Sequence, residues 1–381
     1  MSSTSDTIVV GGGIVGLACA WEAARRGRSV VLIERDTYAQ SASVRNFGMI
    51  WPVGQQAGEH YERALRSRDR WLTLRKEAGI WLQQCGSLHL AHHEIEAQVL
   101  QELASNEQYD RSSLTMLTAK EIASRFPLVR TDRLLTGMYS ASECVVDPPK
   151  AIRQLTRHLV EHHSVRIIPA TAVVAIDMPT VTTAGGERYR AEQVLVCTGS
   201  DFSSLFPQEF KVSGLRRCKL QMLAAAAPAD GVRVGVHLAA GLTLAHYKAF
   251  ESCPSLAELK AYLAHEYPEH LKYGIHVMAS QHESGELILG DSHLYEGDIE
   301  FTQYESIDKL ILEYLQRMLV VPTERITRRW YGIYAKHATK VLFTATPQPG
   351  CTIINGVGGA GMTMSFGHIE HWWNDTYGTQ V

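Results

Sequence analysis

The sequence predicts a Rossmann-like α/β domain for a dinucleotide, joined to an inserted α+β domain built on an antiparallel sheet. Three observations predict it. Residues 8–36, IVVGGGIVGLACAWEAARRGRSVVLIERD, carry Gly11, Gly13 and Gly16 as G-x-G-x-x-G between two apolar runs. After about residue 212 the texture changes to longer alternating runs, the mark of half-buried strands. Near the C-terminus the first style returns: Cys351–Asn355 leads into GVGGAGMTMSFG and a last helical pattern.

Each part of the first stretch has a physical job. Gly11 permits the tight turn off the strand, Gly13 lets a pyrophosphate approach the backbone, and Gly16 lets the helix pack on the sheet. The helix N-terminus then offers unpaired N–H groups and partial positive charge to the phosphates. Glu34 closes the second strand, where its carboxylate can accept from ribose hydroxyls and disfavours a 2′-phosphate. A purely structural glycine turn is the alternative, and the strand, helix and acidic residue in order argue against it.

The following elements read in turn. Ser41–Gln55 is loop-like, and helices are predicted at about 57–78 and 94–106 with a strand at 86–90 between them. Thr118 and Glu121 form a capping box that starts a helix to Arg125. Asp147-Pro148 starts another, through Leu159. Strands follow at Val165–Ile168, Ala172–Ile176, Val181–Thr183 and Glu192–Gly199. Alternation then predicts strands at Lys219–Ala226, Thr243–Phe250 and Glu286–Gly290, with helices at Ser255–His265 and Ser306–Leu319. The expected division is a discontinuous nucleotide domain, 1–85, 141–211 and 325–381, and a substrate domain, 86–140 and 212–324.

Composition excludes several classes. With 381 residues, 45% hydrophobic and 20% charged, the chain is an ordinary globular protein large enough for two domains. A formal net charge of −3 argues against nucleic-acid or anionic-membrane binding. No apolar run approaches the ~20 residues that span a bilayer. The N-terminus has no secretory pattern, and the seven cysteines form no C-x-x-C pair, which together predict reduced thiols and a cytoplasmic address. The seventeen histidines show no metal-ligand spacing, so surface positions and no metal site are expected.

Six motifs in order, Gly11–Glu34, SASVRNFGMI (41–50), VVDPPKAI (145–152), VLVCTGS (194–200), ELILGDSH (286–293) and NGVGGAGMTMSFG (355–367), resemble the D-amino-acid oxidase and glycine/sarcosine oxidase family of FAD-dependent amine oxidoreductases. Within it the chain resembles a bacterial subgroup linked to aminophosphonate catabolism. The resemblance implies that Ser41, Ser43, Arg45 and Asn46 run along the pyrophosphate and ribityl chain, while Gly48 and Met49 approach the isoalloxazine. Val174 would offer its backbone to adenine, Arg35 sits beside Glu34, and Thr198 and Gly199 close over the phosphates. Gly358, Gly359, Gly361 and Met362 would aim N–H groups at the flavin O2/N1 edge, where reduced flavin carries negative charge.

Departures from the family pattern bear on the substrate. Tyr334 stands where relatives place a carboxylate-clamping arginine, and Thr363 stands for a lysine in the C-terminal turn. Gly332 replaces a flavin-linking cysteine, implying non-covalent FAD, and Ile288 stands at an oxygen-activating lysine, leaving oxygen or another acceptor open. Basic and phenolic groups are expected to hold the substrate anion instead. The candidates are Arg216, Arg217, Lys219 and Gln221; His246, Tyr247 and Lys248; His293 and Tyr295; and Tyr334, Lys336 and His337. A phosphonate rewards several donors rather than one fork. Of these, Tyr334, Lys336 and His293 are the catalytic candidates, and Arg217, Gln221, Tyr247, Lys248 and Tyr334 the substrate contacts.

The implied reaction is oxidation of a small neutral amine, with hydride passing to flavin N5 and the imine hydrolysing to an aldehyde. A desolvated pocket lined by Trp51, Met222 and Tyr334 would keep the amine neutral. Two other readings stay open. One is a sarcosine-like or cyclic amino acid held by Arg216 and Arg217; the other is a non-catalytic nucleotide-binding module. Neither nucleic acid nor membrane is an expected partner, and the oligomeric state is open.

Overall fold

A computed structural model describes residues 4–228, 231–295, 299–320 and 325–378. Five strands lie parallel at its centre, in the order Arg166–Ile168, Val30–Ile33, Thr4–Val10, Arg188–Val196 and Cys351–Asn355. Val30–Ile33 is buried at every residue, as an apolar run covered on both faces requires. The chain leaves Thr4–Val10 toward one neighbour and returns beyond the other, so a crevice opens at the carboxyl ends of these two central strands. That is where parallel α/β sheets hold ligands.

Helix Ile14–Arg25 crosses one face, packed with helices Pro148–His163 and Gly361–Tyr377 through a shared core that includes Leu17, Trp21, Leu155 and Phe366. The predicted caps are in place. Asp147 accepts from Lys150 N–H at the start of one helix, and Thr118 and Glu121 satisfy each other's backbone N–H groups at another. Both ends of the chain therefore flank the same crevice.

An eight-stranded second sheet runs Ile326–His337, Leu215–Ala225, Leu287–Gly290, Met278–Gln281, His237–Ala239, Ser87–Ala91, Thr136–Ser140 and Leu114–Thr118. All its pairings are antiparallel except His237–Ala239 with Ser87–Ala91. Three expectations are corrected. Strand Ile326–His337, expected with the nucleotide domain, pairs along Leu215–Ala225 in this second sheet. Thr243–Phe250 is not a strand: Gly241–His246 is helical and Lys248–Ser252 makes a 3₁₀ turn. An eight-residue run is too short for its period to separate the two states. The strand Glu192–Gly199 begins four residues earlier, at Arg188, and ends at Val196. The expected domain limits 1, 324 and 381 fall outside the described residues.

Beneath the crevice Trp51 is packed between the rings of His89 and His237, at 5.2 and 5.7 Å. His237 Nε2 donates to the Cys144 carbonyl (3.0 Å), while neither ring nitrogen of His89 has a partner. Burial depresses His89 to about 3 and His237 to about 4. Both folded values lie below the unfolded value of roughly 6.5. The unfolded chain therefore binds more protons between these limits, and stability is lost as pH falls from about 6.5 toward 3. His89→Phe is expected to move the acid-unfolding midpoint to lower pH while changing stability at pH 8 by less than ~1.5 kcal/mol. Urea melts across the pH range check this, and an unaltered pH profile would count against it.

Candidate active site

The crevice continues into one cavity of about 380 Å³ that joins the glycine loop to the second sheet. At the loop, backbone segments meet too closely for any side chain. A Cβ on Gly11 would sit 2.4 Å from the Cys197 carbonyl, and one on Gly16 would sit 1.9 Å from the Gly11 carbonyl. Gly11 also has φ +106°, which an L side chain resists. Gly13 caps the helix without a side-chain bond and lines the cavity, where the helix's first N–H groups are open to an anion. Ser43 holds one of them, accepting from Ile14 N–H at 2.9 Å.

Glu34 is buried, with one carboxylate oxygen accepting from Gly12 N–H (2.5 Å) and the other from Asp36 N–H (2.9 Å). Its position is thereby fixed at the nucleotide end. Arg35, also lining the cavity, pairs with Asp201 (2.9 Å), and Thr198 donates to the Asp201 carbonyl, so the 198–201 turn closes over this end. Gly199 lines the same wall, and its carbonyl accepts from Asn355.

The cavity is also lined by Ser41, Ser43, Arg45, Asn46 and Met49 and by Gly332, Gly358, Gly359, Gly361, Met362 and Thr363. Arg45 donates to the Tyr331 carbonyl (3.3 Å). Thr363 is buried, its hydroxyl accepting from Trp51 N–H (2.9 Å), which ties the last helix to the chain after strand Met49–Ile50. The residues present therefore suit a dinucleotide: a backbone cradle, an acidic residue beyond it and a glycine-rich stretch of lining.

The far end is lined by Trp51, Met222, His246, Tyr247, Lys248, His276, Asp291, His293, Tyr334 and Lys336. Alternation puts Gly332, Tyr334 and Lys336 on one face of strand Ile326–His337, toward the cavity. Lys336 Nζ donates to the Tyr295 hydroxyl at 3.1 Å. Burial pushes the Lys336 ammonium down, with Lys248 adding to the shift and the thiol of Cys218 opposing it. Burial also lifts the phenols of Tyr247 and Tyr334, keeping them protonated donors, lowers His246 and His276, and depresses His293 to about 3. Asp291 is pushed well up by burial.

Several expected contacts lie elsewhere. On strand Leu215–Ala225 it is Leu220 and Met222 that line the cavity, so Arg217, Lys219 and Gln221 point the other way. Arg217 donates to the Ser200 carbonyl, Lys219 to the Glu300 and Thr302 carbonyls, and Gln221 to Asp308 and the Tyr304 carbonyl. Arg216 donates to the Tyr295 carbonyl. Val174 is half exposed and off the cavity; its neighbours Thr171, Ala172 and Val173 line it instead. Gly48 faces the Val146 carbonyl, 2.1 Å from where its Cβ would be, rather than the cavity. Gly16 serves helix packing, as its close contact requires. His337 lines the cavity but accepts from Thr339 N–H, and Ile288 does not line it but packs in the apolar cluster behind Leu220, Met222 and Tyr334. Sequence reasoning missed His276 and Asp291. Asp291 lay within the GDSH motif, whereas His276 carried no pattern.

Over residues 6–370 the sequence matches the DAO family, described as FAD dependent oxidoreductase. A stretch of 162 residues is 35% identical to the tRNA 5-methylaminomethyl-2-thiouridine biosynthesis bifunctional protein MnmC of Chromobacterium violaceum, covering 40% of this chain and 23% of that protein. Monomeric sarcosine oxidase from a Bacillus species is 24% identical over 212 residues, 54% of each chain. The matched stretches thus span between a quarter and about half of these relatives. Glycine oxidase from Bacillus cereus shares the fold, with a TM-score of 0.77 at 17% identity over 99% of this chain and 96% of that one.

A side chain at Gly13 would project toward Ser43 Oγ, 3.1 Å from its Cβ, where an anion reaches the helix end. Gly13→Val is expected to leave the far-UV circular dichroism intact and to yield protein without bound flavin. A variant that retained yellow, stoichiometric FAD would contradict this assignment of the cradle.

Proposed function

Because the chain belongs to the DAO family of FAD-dependent oxidoreductases, we propose that it oxidises the C–N bond of a small amine bearing a phosphonate, a 2-aminoethylphosphonate derivative. The observation that carries this reading is the make-up of the cavity's far end: lysines, phenols and imidazoles, with no arginine among them. The arginines among the described lining residues are Arg35, paired with Asp201, and Arg45, bonded to the Tyr331 carbonyl. A flat carboxylate is best matched by a guanidinium fork, whereas separate donors around a cleft suit the three oxygens of a phosphonate.

Lys336 and Lys248 supply the positive charge, and Tyr247 and Tyr334 donate from protonated hydroxyls. Trp51, Met222 and Leu220 exclude water beside them, which favours the neutral amine over the ammonium ion. FAD supplies the two-electron acceptor, at N5 of the flavin. The resulting imine then hydrolyses to ammonia, or an alkylamine, and an aldehyde, phosphonoacetaldehyde for the simplest substrate. Gly358, Gly359, Gly361 and Met362 line the cavity, and their backbone N–H groups would stabilise negative charge on a bound, reduced cofactor. In this reading the cofactor belongs to 1–85, 141–211 and 325–381 except strand Ile326–His337, which lies in the second sheet and carries Tyr334 and Lys336 toward the substrate. Cys197 is the cysteine lining the cavity among the described residues, and it borders the nucleotide end, which supports non-covalent FAD.

A second reading, a sarcosine-like or cyclic amino acid, loses the Arg216 and Arg217 anchor once both are seen off the cavity. Its carboxylate falls to the same lysines. Anaerobic mixing of the FAD-loaded protein with 2-aminoethylphosphonate, its N-methyl derivative, sarcosine and proline separates the two. Flavin bleaching by the phosphonates is expected; bleaching by sarcosine or proline alone transfers the assignment to the second reading. Lys336→Met is expected to raise KM for the phosphonate by roughly tenfold or more, about the 1.4 kcal/mol of one charge-assisted bond, with a smaller change in kcat. Acid precipitation is expected to release all FAD into the supernatant.

A further inference from the structure

Four polar side chains at the far end of the cavity are left without a task. His246 ends helix Gly241–His246, His276 precedes strand Met278–Gln281, and Asp291 and His293 follow strand Leu287–Gly290. Two of the segments are joined by backbone: His276 and Asp291 exchange N–H to carbonyl bonds (3.3 and 3.4 Å), and His293 N–H donates to the Tyr273 carbonyl at 2.9 Å. The third is tied on by the Thr243 hydroxyl, which donates to the Val277 carbonyl (3.1 Å). We propose that His246, His276 and His293, with Asp291 beside them, form a binding site for a divalent transition-metal cation of the zinc type.

The donor set has the right chemistry. Imidazole nitrogens suit zinc, copper, nickel and iron(II), and three of them with one open position make up a reactive rather than a closed structural site. One nitrogen from each ring lies within 4.8 Å of the others. Bonds of about 2.1 Å in a tetrahedron put ligand nitrogens about 3.4 Å apart, so closure takes shifts of roughly an ångström. The His276 ring now stacks on His293 at 4.6 Å and lies tilted by 37° against His246 at 3.8 Å, and all three border the cavity.

The surrounding bonds are those a ligating histidine needs. His293 Nδ1–H donates to the Gly274 carbonyl (3.1 Å), which fixes the tautomer and leaves the Nε2 lone pair free. His276 Nδ1 is buried without a hydrogen-bond partner, and so is Asp291 Oδ1; their residues are 3% and 4% exposed. Buried polar atoms are rarely left unmatched, and a cation matches both kinds. Asp291 Oδ1 lies 3.5 Å from His276 Nε2 and Oδ2 lies 3.7 Å from His293 Nε2, close enough to ligate or to orient a ring. Lys336 on the opposite wall is the charge that works against a cation, and its own bond to Tyr295 draws it aside.

The open position faces the cavity, where a substrate oxyanion completes the coordination and replaces the missing arginine. That role rests on the amine-oxidation reading above; the site itself does not.

The test uses FAD-loaded protein stripped of metal by a chelator, with flavin retention checked by absorbance, and zinc as the probe in calorimetric titration. One equivalent of zinc is expected to bind. His276→Ala and His293→Ala are each expected to abolish that isotherm, while His162→Ala, on an exposed helix end, leaves it intact. Asp291→Asn is expected to weaken binding by about 10- to 100-fold. Absence of stoichiometric binding overturns the proposal, as does binding unchanged by His276→Ala and His293→Ala. Should these variants fail to fold, zinc-edge X-ray absorption of the unmutated protein decides: three imidazoles support the site, and thiolate or oxygen ligands alone overturn it. The isotherm is read without substrate, so an amine panel that bleaches no flavin leaves this result standing, and the reverse holds too.

Discussion

The backbone contact of Gly11 and Gly16 with each other and with the Cys197 carbonyl is the constraint from which the rest of the structure follows. Strand Thr4–Val10 must turn into helix Ile14–Arg25 within three residues, directly against the end of strand Arg188–Val196. Any Cβ there would force the helix off the sheet. With the helix seated, its N-terminus points into the crevice between the central strands, and Glu34 is carried to the crevice's edge by the next strand. The last helix then packs beside the first and brings Gly361 against Ile14, so that Gly358–Met362 joins the lining of the crevice. One close approach thus sets the depth, polarity and two walls of the nucleotide end.

The second sheet supplies the other end through two long antiparallel partners, Leu215–Ala225 and Ile326–His337, in register from the Leu215/His337 pair to the Ala224/Arg328 pair and shifted by one residue beyond. Side chains alternate faces, so on Leu215–Ala225 this register puts Leu220 and Met222 toward the cavity, with Tyr334 and Lys336 of the partner strand, and turns Arg217, Lys219 and Gln221 to other partners. A shift by one residue would exchange the whole set. The apolar members pack with Cys218, Ala224, Ile288 and Tyr334, with Phe47 and Trp330 against them, and the other face finds partners in Asp308, Glu300 and Tyr304.

What was legible in the sequence follows the range of the forces involved. The capping box at Thr118 and the Asp147-Pro148 helix start are local, set by a few adjacent residues, and each appears as read; the glycine turn and the place of Glu34 at the end of the second strand are local in the same way. The choice of strand face is not local. Arg217, Lys219 and Gln221 looked suitable by chemistry, but register with a strand more than a hundred residues away decided their direction. His276 and Asp291 lie fifteen residues apart and meet His246 through tertiary packing, so no spacing announced them. Val174 missed the cavity by one residue: Thr171, Ala172 and Val173 line it.

The two ends of the cavity differ in how much of their polarity is already satisfied. At the nucleotide end Glu34, Ser43, Arg35 and Asn355 all hold partners within the protein, so the cradle is formed before anything binds. Preorganised donors of this kind give affinity without reorganisation. At the far end the balance is reversed: neutral imidazoles, an unpaired carboxyl and a displaced lysine sit in a buried pocket. An unsatisfied buried group destabilises the free protein and rewards whatever satisfies it. Discrimination is sharpest in such a place, since a ligand lacking the matching charge leaves those groups unpaired again. The cofactor end is therefore built for retention, and the far end for choosing what it admits.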